Sequence, residues 1–189
     1  NEDITLLEKT LYACKQMEYP DKNKVHIYLC DDGNRQEVKE LAEKMLIYYV
    51  TRSEHKDAKA GNLNYALQKS SSPYIAVFDA DMMPKKKFLM RTIPWFSKEQ
   101  IGFVQTPQNF YYPDLFQYNL YASDHIPNEQ DYFYKVVQVA KNKSNSVIFG
   151  GSNAVLSRKA LEETGGFVTG VVTEDFATGI EIEKKGYKG

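Results

Sequence analysis

Hydrophobic residues along the chain follow two spacings, one typical of helices and one typical of buried strands. Short apolar runs rich in β-branched and aromatic residues predict strands at 25–30, 46–50, 74–78 and 101–104. Apolar residues three or four positions apart predict helices at 4–14, 38–45, 61–67, 88–96, 128–141, 158–164 and 173–185. Asp3 is placed to cap the first helix. Strands and helices that alternate in this way predict an α/β fold with a mainly parallel sheet and helices on both faces.

Length and composition limit the number of domains and the classes of function that fit this chain. The chain has 189 residues, which is typical of one domain that buries about 70% of its unfolded surface. With 24 basic and 25 acidic residues, it lacks the basic field that would recruit nucleic acid. There is no signal peptide and no apolar run of about 18 residues that could span a bilayer. Cys14 and Cys30 form no disulfide framework, and we expect two core thiols, as in a reducing compartment.

Two carboxylates follow the strand at 74–78. Side chains alternate along an extended segment, so Asp79 and Asp81 leave the strand end in the same direction. Two like charges held together need a cation between them, and oxygen ligands suit Mg²⁺ or Mn²⁺. The alternative is an ordinary polar turn in which Asp81 caps the next helix.

Three other polar segments accompany this pair, at 31–33, 58–62 and 173–175. Asp31-Asp32-Gly33 could form a hairpin turn, but the following pattern is helical, so a carboxylate there could accept hydrogen bonds from a nucleotide. Lys59 precedes a predicted helix start near Gly61, where phosphate oxygens bind well; a solvated surface lysine is the alternative. Asp175 is either a general base or an acid stabilised by a helix dipole.

These four segments suit the transfer of a sugar from a nucleoside diphosphate. The departing diphosphate gains negative charge, which a metal and Lys59 can stabilise. The attacking hydroxyl needs a base, and Asp175 could serve. A single base without a second nucleophilic carboxylate implies direct displacement with inversion.

The segment 105–124 is rich in aromatic residues. These residues could stack on sugar rings, could belong to a core or interface, or could lie against a membrane or a partner. They are Phe110, Tyr111, Tyr112, Phe116, Tyr118 and Tyr121, among Pro107, Asn109 and Pro113.

Seven motifs stand in the order seen in processive family-2 glycosyltransferases, and the chain most resembles the catalytic domains of bacterial cellulose synthases over essentially its full length. The motifs are Asp31-Asp32-Gly33, 55–64, Phe78-Asp79-Ala80-Asp81, 105–110, 127–131, Gly151-Ser152 and Thr173-Glu174-Asp175.

The resemblance implies a GT-A (Rossmann-like) fold on the cytoplasmic face of a membrane protein, with flanking transmembrane segments in the parent chain. It implies a UDP-sugar donor, UDP-glucose, used with Mg²⁺ or Mn²⁺ to extend a β-1,4-glucan acceptor at its non-reducing end. The implied roles are nucleotide-sugar binding by Glu2, Asp31 or Asp32, Lys59 and Asp79, metal binding by Asp79 and Asp81, catalysis by Asp175, and acceptor binding by Gly151, Ser152 and Glu174.

Three departures from the family pattern affect this interpretation. The strand that normally precedes Asn1-Glu2 is missing, and the family's Gln-x-x-Arg-Trp segment would lie beyond Gly189. Gly150 stands where cellulose synthases commonly have cysteine, which leaves the acceptor and product open. We therefore expect a soluble fragment of a longer protein that binds nucleotide weakly and does not polymerise.

Other functions fit part of the pattern. A mixed-linkage, β-1,3-glucan, chitin- or hyaluronan-type synthase or a nonprocessive transferase would use the same acids, and the sequence does not give the linkage. A nucleotide-binding regulatory module would not need Asp175. A metal-dependent nucleotidyltransferase or phosphatase also uses paired aspartates, but no phosphate-accepting nucleophile motif opens this chain.

Overall fold

The computed structural model describes residues 2–98, 100–110, 115–121 and 125–189. Its strands are Tyr28–Cys30 (β1), Tyr48–Val50 (β2), Tyr74–Val77 (β3), Phe103–Gln105 (β4) and Ala154–Ser157 (β5). Its α-helices are Ile4–Lys15 (α1), Gln36–Met45 (α2), Ala58–Lys69 (α3), Phe88–Thr92 (α4), Leu115–Asn119 (α5), Glu129–Tyr132 (α6), Gln138–Asn142 (α7), Arg158–Glu163 (α8) and Glu174–Lys184 (α9). Short 3₁₀ helices cover Lys22–Lys24 and Ile93–Ser97, and a π-helical segment, Phe133–Val137, joins α6 to α7.

The described strands form two sheets. β1 pairs with β2 in parallel, with Tyr28 opposite Tyr48. β5 lies between β3 and β4 and is antiparallel to both. The predicted α/β fold is confirmed, and β1 and β2 are parallel as expected, but the three-stranded sheet is antiparallel, so the strands are mixed and not mainly parallel. Sequence analysis missed β5 because its short apolar run directly follows a glycine-rich turn, where periodicity carries little information.

Helices cover both faces of the three-stranded sheet, as predicted. Neighbouring residues of β5 point to opposite faces, and Ala154, Val155 and Leu156 are all fully buried. Ala154 and Leu156 pack with residues of α8 and α9. Val155 packs on the other face with Phe88 and Leu89 of α4. β5 is therefore the central strand of the core.

The ends of several helices differ in detail from the predictions. The Asp3 cap is confirmed, because its carboxylate accepts the amide hydrogen of Thr5 at 2.7 Å. The helix expected at 88–96 is instead α4 followed by a 3₁₀ helix containing Pro94, since proline cannot continue the α-helical hydrogen bonds. α3 begins at Ala58 rather than near Gly61, so Lys59 lies in its first turn.

Both cysteines are free; Cys14 is a core residue as expected, whereas Cys30 is only partly buried. Burial raises the pKa of Cys14 to about 12, and burial together with the charge of Asp32 raises that of Cys30 to about 11. Neither thiol is therefore a thiolate nucleophile near neutral pH. In the part of the chain that the structure describes, no helix has the length and apolar character needed to cross a membrane.

Arg158 holds the end of α3 against α8, and we expect its replacement to be costly. Its guanidinium donates hydrogen bonds to the carbonyls of Ser72 and Leu67 at 2.6 and 3.1 Å and to Ser70 Oγ at 2.7 Å. Arg158→Ala leaves these acceptors unpaired, so the free energy of unfolding in urea should fall by about 2–3 kcal/mol. Lys159→Ala, at a side chain that is 79% exposed, should change it by less than about 0.5 kcal/mol. Equal effects of the two variants would contradict this account.

Candidate functional site

The first acidic pair follows β1, and its two members have different surroundings. Asp31 is 5% exposed, and its carboxylate accepts hydrogen bonds from the amides of Gly33 and Arg35, from Arg35 Nε and from the Tyr49 hydroxyl. Burial acts to raise the pKa of Asp31, but these hydrogen bonds and the Arg35 charge outweigh it and lower the pKa below its usual value. Asp31 therefore holds the turn after β1.

Asp32 is the more accessible of the pair, with 32% of its side chain exposed. Arg52 donates two hydrogen bonds to its carboxylate, both 2.7 Å long, and these lower the pKa of Asp32. Glu2 lies in the same region, because its carbonyl accepts a hydrogen bond from Arg35 Nη1 at 3.1 Å. Of the two aspartates, Asp32 is thus the one that a ligand can reach.

The second acidic pair follows β3. Lys59, in the first turn of α3, forms an ion pair and hydrogen bond with Asp79 Oδ1. Asp81 is exposed, and in the described part of the chain no basic side chain forms an ion pair with it. The predicted lysine and one predicted metal ligand are therefore in direct contact.

Asp175 reaches the same region through the turn before β5. Gly151 in this turn has a positive φ of 73°, and a Cβ there would lie 2.7 Å from Asp175 Oδ2. The carboxylate thus rests on a surface that only glycine provides. The neighbouring Ser152 Oγ accepts the amide hydrogen of Asp79 at 2.9 Å. One turn of backbone therefore joins the predicted base to the predicted donor site.

The predicted acceptor residues differ in their exposure to solvent. Ser152 is 0% exposed, and its hydroxyl is used by the Asp79 amide, so its side chain positions the strand end. Gly151 is also buried, under Asp175. Glu174 is partly exposed and begins α9. In this structure the Ser152 hydroxyl is bonded to the Asp79 amide, and the acceptor roles predicted for Gly151, Ser152 and Glu174 stay predictions.

Two residues of the 105–110 motif hold this turn in place, and sequence analysis assigned them no role. Gln105 accepts the amide hydrogen of Gly150 at 2.8 Å and donates to the Ser152 carbonyl at 2.9 Å. Thr106 donates its hydroxyl to the Asn153 carbonyl at 2.7 Å. A glutamine just after a buried strand was the available signal, but its partners lie more than 40 residues away.

Tyr134 is a further site residue that sequence analysis missed. It is 7% exposed, and it lies in the π-helical segment, a feature often found at functional sites. A Cβ on Gly150 would lie 3.0 Å from its hydroxyl oxygen. Burial, and then the charges of Asp175 and Asp79, raise the pKa of Tyr134 to about 12. The tyrosine is therefore neutral and close to both acids.

The aromatic segment is only partly described. Tyr111, Tyr112 and Pro113 lie outside the described residues. Phe110, Tyr118 and Tyr121 are 57%, 69% and 94% exposed, so they are not core residues. Contact with an acceptor or with a partner surface stays a prediction for this segment.

The acids suit a divalent cation only as part of a larger set of ligands. Among the described residues, no three His, Cys, Asp or Glu side chains form a complete protein site. Asp79 and Asp81 supply carboxylate oxygens at one strand end, and none of the basic side chains that the structure describes pairs with Asp81. Mg²⁺ typically binds to one or two carboxylates and to the phosphates of its substrate. The residues therefore fit a cation that arrives with a diphosphate.

Comparison with known proteins identifies the family. Residues 1–165 match the family described as glycosyl transferase family 2. The chain belongs to this family. This glycosyltransferase is 39% identical, over its whole length, to the "Cellulose synthase catalytic subunit [UDP-forming]" of Xanthomonas axonopodis pv. citri (strain 306). It is 38% identical over 188 residues to the protein of the same name from Pseudomonas fluorescens (strain SBW25). The chain spans 26% and 25% of these relatives.

A solved structure confirms the GT-A-like fold. The mannosyltransferase PcManGT from Pyrobaculum calidifontis, in complex with GDP-Man and Mn²⁺, matches with a TM-score of 0.75 and 26% identity. The match covers 99% of this glycosyltransferase and 50% of the other chain.

The charge of Asp175 should have a measurable effect on the pKa of Tyr134. Asp175→Asn removes one of the two negative charges that disfavour the tyrosinate, so the pKa of Tyr134 should fall from about 12 but stay above its usual value, because burial is the larger cause. An NMR titration of tyrosine labelled at ¹³Cζ would show this. Asp131→Asn, at a carboxylate paired with Lys135, should leave the pKa unchanged. An unchanged pKa of Tyr134 in Asp175→Asn would contradict the placement of Asp175 near Tyr134.

Proposed function

We propose that this chain is a single catalytic domain of a cellulose synthase-like enzyme. It transfers glucose from UDP-glucose to the non-reducing end of a β-1,4-glucan with inversion at the anomeric carbon. The observation that carries the proposal is the turn at Gly151-Ser152, because Asp175 packs on its first residue and the Asp79 amide donates to its second. A base and a donor-binding acid placed together in this way are what a direct displacement requires.

The donor side consists of Lys59, Asp79 and Asp81, with Asp32 and Glu2 placed for the nucleoside. Asp79 and Asp81 would hold Mg²⁺ or Mn²⁺, which when bound stabilises the negative charge of the leaving diphosphate. Lys59 already pairs with Asp79, so its ammonium lies where diphosphate oxygens would come. The lysine adds positive charge to the leaving group without donating a proton to it.

The acceptor side depends on Asp175. Its carboxylate takes the proton from the attacking hydroxyl, whose oxygen forms the new bond to the anomeric carbon while the bond to the diphosphate breaks. Gly151 lets the carboxylate approach the backbone beside the donor site. The neutral Tyr134 hydroxyl lies beside the same turn, because a Cβ on Gly150 would come within 3.0 Å of it.

The names of related proteins support the choice of donor. The curated relatives are described as UDP-forming, and the mannosyltransferase neighbour was solved with a nucleotide sugar and Mn²⁺. The chain spans about a quarter of the length of the curated relatives. We therefore infer three further features only from similarity to the family: the glucan acceptor, flanking transmembrane segments and a place at the cytoplasmic face of the membrane.

A second candidate is another UDP-sugar polysaccharide synthase. Gly150 favours it, because a Cβ at this position would lie only 3.0 Å from the Tyr134 hydroxyl oxygen, so the turn has little room for the cysteine that is common in cellulose synthases. This difference from the family pattern lies beside the proposed acceptor side, so the acceptor sugar or the linkage could differ as well. Product analysis after hydrolysis by linkage-specific glucanases separates the two candidates.

Metal-dependent binding of UDP tests the donor site. Calorimetry should show that UDP binds more tightly than GDP and that Mn²⁺ strengthens its binding. Asp81→Asn should weaken UDP binding with Mn²⁺ by about tenfold or more, because it removes one charged metal ligand. Asp21→Asn, at an exposed carboxylate paired with Lys24, is the control and should bind UDP with the wild-type affinity. Equal binding of all nucleotides, with or without metal, would favour a structural or regulatory role.

Asp175→Asn tests the base in a preparation that transfers glucose. The amide keeps the size of the side chain but cannot accept the proton, so kcat should fall by about 10²–10⁴-fold while KM for UDP-glucose stays within about threefold. Glu181→Gln, on the same helix and paired with Lys184, should keep normal turnover. Normal turnover in Asp175→Asn would refute its role as the base.

A further inference from the structure

The side chain of Asn64, in the middle of α3, binds the backbone of a residue 103 positions away. Asn64 Nδ2 donates to the Phe167 carbonyl at 2.8 Å, and Asn64 Oδ1 accepts the Phe167 amide hydrogen at 2.7 Å. Both backbone groups of a residue that is only 4% exposed are thereby satisfied. We name this pair of hydrogen bonds the Asn64 clamp.

The clamp depends on glycine at the preceding position. Gly166 has a φ of 102°, and a Cβ there would lie 2.5 Å from Asn64 Oδ1. Any other residue would collide with the amide and would be strained in this backbone conformation. The close approach of α3 to the loop at 165–173 therefore requires both Asn64 and Gly166.

Hydrogen bonds continue from the clamp to α9. The Val168 amide donates to Thr178 Oγ1 at 2.9 Å, and this hydroxyl donates to the Glu174 carbonyl at 2.6 Å. Thr178 is fully buried, so water does not compete for these bonds. The path ends in the first turn of α9, at the residue before Asp175.

The other end of the path is the donor side. Lys59 lies five residues before Asn64 on the same helix and pairs with Asp79. A cavity of about 300 Å³ separates the start of α3 from the loop. Its lining includes Asp57, Ala58 and Ala60 on one side and Thr169, Gly170 and Glu174 on the other.

We propose that Asn64 is a positioning residue that couples occupancy of the donor site at Lys59 to the placement of Asp175. It contacts neither the donor nor the reacting atoms; it acts through the backbone of Phe167 and Val168. The inference rests on the proposed function, in that the ligand at Lys59 is UDP with a divalent metal.

Amide hydrogen exchange of the whole chain tests the proposal. Without ligand, Asn64→Ala should speed exchange at Phe167 and Val168 on the order of tenfold, because two hydrogen bonds to the loop are lost. With UDP and Mn²⁺, the wild-type chain should gain protection at 167–178. Asn64→Ala should bind UDP with an affinity within about threefold of the wild-type value, but it should gain no protection at these residues.

Two further variants separate coupling from simple loss of stability. Arg158→Ala loosens the other end of α3, away from the loop, and should leave the UDP-induced protection at 167–178 in place. Asn64→Asp keeps the size and one acceptor but brings a carboxylate oxygen to the Phe167 carbonyl, so it should lose most of the protection while remaining folded.

The possible outcomes distinguish this inference from the proposed function. Loss of protection in both Asn64 variants, with binding retained, supports the coupling. Equal protection in Asn64→Ala and the unchanged chain, with UDP bound to both, overturns the coupling alone. If calorimetry shows no UDP binding to the unchanged chain, the proposed function fails, and the coupling fails with it. If the loop in Asn64→Ala exchanges as before without ligand, the clamp itself is refuted.

Discussion

The turn at 150–153 is the constraint on which the rest of the site depends. It leads into β5, the fully buried central strand of the three-stranded sheet, so its position is set by the core. Gln105 and Thr106, at the end of the neighbouring β4, bind its backbone. A turn that is continuous with a buried strand and bound by side chains of the neighbouring strand end is rigid enough to place two charged groups with precision.

The four acidic residues that follow β1 and β3 have different surroundings. Asp31 is buried and used to hold a turn, and Asp32 is paired with Arg52. Asp79 is paired with Lys59, while Asp81 has no basic partner among the described residues. Charge is thus balanced at Asp31 and Asp32 and left partly uncompensated at Asp81, where we propose that a cation enters with a diphosphate. A site of this kind binds its metal and its donor together more readily than either alone.

Glycine has two separate uses in this chain, and both concern Asp175. At Gly151 the missing side chain lets the carboxylate rest on the backbone, and at Gly166 it lets Asn64 reach the loop that leads into α9. The first fixes the Asp175 carboxylate against the turn that also binds the Asp79 amide, and the second links the loop before α9 to α3. The position of the Asp175 carboxylate is therefore fixed in two ways, by its contact with Gly151 and through the hydrogen-bonded loop that leads into α9.

The sequence by itself determined the α/β class, most element positions and the family resemblance, and it singled out the acids proposed for the site, because apolar spacing and short motifs are local properties. It did not reveal β5, the antiparallel pairing, the different roles of Asp31 and Asp32, or the burial of Ser152. Nor did it indicate Tyr134, and it assigned no role to Gln105 or Asn64 within their motifs, since their partners lie far along the chain. Only the tertiary structure decided these points, because burial and long-range hydrogen bonds depend on which segments the core brings together.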